Sequence, residues 1–423
     1  MRMVRQSVPD QPIARLLRFE CPDVDFPAVD NSLRKLLNDL TNKSLAELAT
    51  DLPIPQTIFF SSIGCDTSIR TRRNESFICI NLNDIDLVDF IFENRKNKKF
   101  VVSALAKIKY LISSQYIYTR TMNLFSCALA YENIPPFMLS QIPYSASPER
   151  AADFLTSYFR KTNKLQLKKV SICFDFLHEW SHFLMMYAPE RMRDFASLAE
   201  THFFRFSEAF PSYQKVKEVA SSAGWENEID EELYHEIIQE RKDFSNSTFP
   251  SMREEVICDV FAVYHLFKHR KELHISYWKL LKVLHAKLNS HHLRVAIKRI
   301  CEQGCVYKAL VGGSQLELEK IDVFFGELFD RTGVASDFLL SFSMDSEDNY
   351  LMAKGWDHIQ EMRNLNSIFL EAFLFPLRNI IPTIISFAID KLRNEEYRDS
   401  MAYFADKLKP QDLLIFVKDP SFI

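Results

Sequence analysis

Between Val170 and Tyr187 the chain reads VSICFDFLHEWSHFLMMY, a stretch without Gly or Pro that is apolar almost all the way round a helix. Such a helix belongs in a core, because it has no face suited to water. Only Ser171, Asp175, His178, Glu179, Ser181 and His182 interrupt it. Ionisable groups in so apolar a setting are costly unless they are paired or bind a metal ion. Pro189 marks the end, since the residue before a proline is pushed out of the helical region. His178 and His182 lie one turn apart, so each can aim an imidazole nitrogen at one common point. Glu179 is rotated around the axis from both and can reach a water held at that point without itself ligating.

Composition narrows the fold class. Eight Gly among 423 residues is far below the roughly thirty that average usage would give. Neither GxGxxG nor a GxxxxGK loop occurs, which argues against nucleotide-dependent chemistry. Scarce Gly with 36 Phe suits a mainly helical protein packed with aromatics. The expected class is mainly α (α+β), with a small β-sheet upstream of the His178–His182 helix and a helical C-terminal region.

A hydrophobic share of 47% beside 26% charged residues is that of a soluble globular protein. A formal net charge of -4 gives no bulk reason to bind nucleic acid or an anionic membrane. The basic runs at 70–73 and 94–99 lack interleaved aromatics and read as solvated loops. The N-terminus has no apolar secretory core, and the stretch 368–392 is too interrupted by charge and proline for a membrane span. Eight scattered Cys read as reduced thiols. The expectation is a cytoplasmic protein with no nucleic-acid or membrane partner. The sequence does not set the oligomeric state.

Along the chain, residues 31–52 read as a helix ending before Pro53. The β-type runs Thr57–Ser61 and Phe77–Leu82 are expected to pair as a hairpin. Helical patterns follow at 101–125 and 148–159, then at 190–210 and 226–242. A polar gap is expected at Asp243–Ser251 before a second apolar helix, Met252–His269, with further helices over 273–310. Gly312-Gly313 marks a boundary, and the remaining residues read as helices broken near Gly333 and 343–349. Three regions result: 1–165, 166–310 and 311–423.

The sequence His178-Glu179-Trp180-Ser181-His182 in a buried helix, with EEVICDVFA downstream, resembles HExxH zinc metallopeptidases of the gluzincin type. More loosely, it resembles cytosolic phage-exclusion type peptidases, which cleave a host protein. The resemblance implies a zincin-like core in which an edge strand aligns an extended peptide. It also implies one Zn2+ per chain, held by three protein ligands with a fourth position for water. A histidine at the end of HExxHxxGxxH is excluded, because Met185 and Ala188 stand at the required Gly and His positions.

In gluzincins the third ligand is a Glu, commonly followed four residues later by an Asp that hydrogen-bonds a ligating His. Glu190/Asp194, Glu226/Asp230, Glu255/Asp259 and Glu395/Asp399 fit that spacing. Glu190 follows His182 too closely for the chain to return over the site, and the second and fourth pairs sit in dense charge. Glu255 and Asp259 lie on an otherwise apolar helix, where unpaired carboxylates are expensive. By the resemblance, His178, His182 and Glu255 ligate zinc, Glu179 is the general base, and Asp259 orients a histidine. Glu200 and His202 remain alternatives to Glu255. Asp175 is a further outer group, and His265 and Tyr264 are candidate transition-state stabilisers.

The function expected is hydrolysis of a peptide bond in a protein or peptide substrate. A regulatory or interaction protein on a catalytically inactive zincin-like scaffold is the alternative. Metal-dependent amidase or deacylase chemistry would use the same groups.

Overall fold

A computed structural model describes residues 12–20, 24–48, 52–62, 66–72, 75–82, 163–208, 230–288 and 390–407, with 153, 156–160, 212–214, 217 and 338. It is mainly helical, with a small mixed sheet upstream of the long helices. In chain order come α1 (Pro12–Glu20), α2 (Asn31–Leu48), β1 (Gln56–Phe60), β2 (Ser68–Arg72), β3 (Glu75–Asn81) and α3 (Lys164–Tyr187). Then follow a short 3-10 turn (Pro189–Met192), α4 (Arg193–Glu208), α5 (Glu231–Lys268), and α6 (Glu395–Lys407). Residues 277–288 are also helical. No described helix is long and apolar enough to cross a membrane. The helical patterns at 101–125 and most of 148–159, the boundary at Gly312-Gly313 and the breaks after it lie outside the described residues.

The strand order is β1-β3-β2. β1 runs parallel to β3, with Gln56 opposite Phe77 and Phe60 opposite Asn81, while β2 is antiparallel to β3. The two apolar runs are therefore parallel neighbours and not the expected hairpin. The hairpin partner of β3 is the arginine-bearing segment read from sequence as a solvated loop. Its residues are almost all half-buried, so it shows none of the alternation that marks a strand.

Successive strand residues face opposite sides of a sheet. Ile58, Phe60, Phe77 and Cys79 pack with Ile13 and Leu17 of α1. Phe59, Ile78 and Ile80 are buried as well, and α3 packs against β2 and β3. Burial on both sides explains why QTIFF and ESFICIN are nearly continuous apolar runs.

Asn163 caps α3 by accepting the Leu165 N–H at 2.8 Å. At the other end the Ala188 N–H closes on Leu184 O at 2.7 Å, and Pro189 stops the helix. Every residue from Val170 to His178 is buried. Trp180 is fully enclosed, and its indole Nε1–H donates to Ser44 Oγ of α2 at 3.0 Å.

α5 starts at an Asp230 cap accepting the Leu233 N–H and continues without a break through Pro250. The gap expected at Asp243–Ser251 does not exist. Around the proline, Ser247, Thr248 and Ser251 turn their hydroxyls back onto the carbonyls of Phe244, Ser245 and Thr248. Buried Ser245, Thr248 and Phe249 hold this polar-looking stretch against the core, where it overrides local propensity.

Burial pushes the thiols of Cys79 and Cys173 up from 9.0 to about 12. A raised folded-state pKa stabilises the fold below the unfolded value, and that stabilisation is lost as pH rises toward the folded value. Each thiol is expected to cost about 1.4 kcal/mol of stability per pH unit above its unfolded pKa. Urea midpoints at pH 8 and 10.5 should fall, and the drop should shrink in Cys79→Val. An equal drop in that variant would place the alkaline sensitivity elsewhere.

Candidate metal centre

His178, Glu179 and His182 come from the middle of α3, and Glu254, Glu255, Cys258 and Asp259 from α5. The two helices pack together. His178 meets Asp259 while His182, one turn on, meets Glu255 and Glu254. Rising numbers on one helix against falling numbers on the other make the crossing antiparallel.

The histidines are held in the same way. Nδ1 of His178 lies 2.9 Å from Asp259 Oδ1, and Nδ1 of His182 lies 2.8 Å from Glu254 Oε1. A carboxylate on one ring nitrogen fixes the tautomer and leaves the other nitrogen for a cation. Both of those other nitrogens face Glu255: Nε2 of His178 is 3.3 Å from Oε2, and Nε2 of His182 is 3.6 Å from Oε1. The two imidazole rings are 5.0 Å apart.

A further donor lies among them. His178, His182 and Cys258 form a largely buried group whose ligand atoms all fall within 4.8 Å of one another, and this group could hold a metal ion. The Cys258 thiol is hydrogen-bonded with Ser181, and burial pushes its pKa well above 9.0.

Burial alone would push His178 down, but the hydrogen bonds and charges of Asp259 and Glu255 outweigh it and lift its pKa to about 10. The two carboxylates therefore favour positive charge at this imidazole. Burial and the neighbouring His178 charge push His182 down.

Glu179 has its Oε2 fixed by the Ile69 N–H of β2 at 2.8 Å. Burial raises its pKa to about 8, opposed by the His178 charge and reinforced by Glu255. Asp175 is directed elsewhere. It forms a buried ion pair with Lys287, with 2.8 Å from Nζ to both carboxylate oxygens.

The other candidates fall outside this cluster. Glu200 pairs with Arg253 at 2.9 Å on the surface, and His202 packs edge-on against Phe338. His265 and Tyr264 are on α5, but His265 lies ten residues beyond Glu255, about 15 Å along the axis. Tyr264 accepts a hydrogen bond from Lys268 at 3.2 Å. His265 is 1% exposed, and burial pushes its pKa down to about 3.

Glu254 and Cys258 are site residues that the sequence argument missed. The search for carboxylates expensive to bury passes over Glu254, whose side chain is 65% exposed. The i+3 spacing of Cys258 from Glu255 was the available signal for the thiol.

No protein-family model, curated protein or solved structure matches the chain.

Proposed function

We propose that the protein is a zinc-dependent peptidase acting on a protein or peptide substrate, with His178, His182 and Glu255 holding the metal. One arrangement carries this reading. Two histidines on one helix face each have Nδ1 held by a carboxylate, and both turn Nε2 toward Glu255 beside a glutamate anchored on a strand.

Imidazole and carboxylate donors in this number suit zinc. Glu255 is preferred to Cys258 as third ligand because its carboxylate faces both Nε2 atoms. Bound there, zinc would supply Lewis acidity toward a water and a substrate carbonyl. Glu179 accepts the proton of the attacking water and returns it to the leaving amine nitrogen. The Ile69 amide holds Glu179 in place while it does so.

Among the described residues β2 lies at the sheet edge, beside Glu179. Its position supports alignment of an extended peptide by backbone pairing, which would bring a peptide carbonyl to the site.

The test is to incubate zinc-loaded protein with a peptide library derived from digested proteins and to identify new amino termini by mass spectrometry. Cleavage is expected, abolished by a chelator, restored by zinc and absent in His182→Ala, which should also carry one zinc fewer than wild type. If no new termini appear with zinc bound at His178 and His182, the peptidase reading fails.

A further inference from the structure

Far along α5 from the first site, a second group of metal-type donors comes together. Glu47 is in the last turn of α2, and His265 and His269 stand one turn apart at the end of α5. Their ligand atoms all lie within 4.8 Å of one another. Nε2 of His269 is 3.1 Å from Glu47 Oε1, and Nδ1 of His265 is 3.6 Å from Oε2. The two rings are 6.0 Å apart and nearly parallel.

An independent observation points to a ligand. His265 is 1% exposed, and among the described residues neither of its ring nitrogens has a hydrogen-bond partner. Buried polar atoms are rarely left this way. The ring is walled by Phe195, Phe261 and Tyr264, and its Nδ1 is directed at Glu47.

We infer that Glu47, His265 and His269 form a second metal site, taking a zinc-like transition-metal dication that clips α2 to α5. Two imidazoles with one carboxylate suit zinc and its neighbours, and are a poor set for calcium or magnesium, which prefer oxygen. Glu272, 3.9 Å from His269 Nδ1, is placed to orient that ring as an outer partner does.

Cations of the protein's own stand close by. Lys268 Nζ is 3.0 Å from Glu47 Oε2, while Lys43 pairs with Glu272. Lys268 is nearly half exposed, so its ammonium can leave for solvent when a dication arrives. Glu47 and His265 are separated by about half of the chain, and a clip closing so long a loop restrains the unfolded state strongly.

The test uses the full chain, stripped by chelator and titrated with Zn2+, with metal content and the unfolding midpoint as readouts. Wild type is expected to bind two zinc ions and His182→Ala one. Glu47→Gln should also bind one, and so should His269→Gln, which spares the buried ring if His265→Ala fails to fold. Zinc at about a hundredfold excess should raise the His182→Ala midpoint by roughly 2–5 °C, and that rise should vanish when Glu47→Gln is added. If Glu47→Gln binds as many ions as wild type, or if His182→Ala binds none, the second site is overturned and the cluster is only an ion-pair network.

Discussion

Glu179→Gln is expected to lower peptide hydrolysis by roughly 10²–10⁴-fold, the range that positioned acid–base groups supply, while zinc content and unfolding midpoint stay near wild type. The substitution keeps the shape of the side chain. Its amide oxygen can still accept the Ile69 N–H that fixes Oε2 at 2.8 Å, but the amide cannot take a proton from water. Rates with a cleaved peptide, read alongside elemental analysis, separate the outcomes. An unchanged rate would remove Glu179 from the chemistry. Loss of zinc would make it a ligand and require a different base.

The second large effect concerns stability. Lys287→Met is expected to destabilise the protein by about 3–5 kcal/mol, since removing one member of a buried ion pair strands the other charge. The side chains of Lys287 and Asp175 are 2% and 5% exposed, so water cannot take the place of the missing ammonium. Asp175→Leu combined with Lys287→Met should recover most of the loss, because a well-packed apolar pair can replace a buried ionic one. Urea midpoints of the three proteins check this. A single variant within about 0.5 kcal/mol of wild type, the range of ordinary surface changes, would show the pair contributes little. Asp175 also contributes to the raised pKa of Glu179, so the stranded charge in Lys287→Met would bear on the site as well as on the fold.

The parts of this molecule that could be read from sequence are those where burial is costly. The run from Val170 to Tyr187 could only be a core helix, and its ionisable interruptions marked the positions where the structure gathers charge. The same cost singled out Glu255 and Asp259 on α5, and the structure brings both against His178, but only Asp259 is fully buried, while the Glu255 side chain is 37% exposed.

Where cost gives no signal, the reading fails. Glu254 is mostly solvated and looks like any surface glutamate. The stretch 243–251 looks polar although its hydroxyls turn back onto carbonyls of their own helix, and β2 is half-buried on both sides. Pairing order is a further case. Local pattern identified Thr57–Ser61 and Phe77–Leu82 as strands, which overlap β1 and β3, but could not tell that they would be parallel neighbours, since pairing partners are set by tertiary packing.

The antiparallel crossing of α3 and α5 has a consequence for a chain still being made. A ribosome that has passed residue 182 but not residue 254 has produced both histidines and neither of the carboxylates that orient them. On the proposed reading, nascent chains and C-terminally truncated fragments ending before Glu254 carry HExxH yet lack the groups needed to use it. On that reading hydrolytic capacity arrives only with the docking of α5, and products that end before Glu254 lack it.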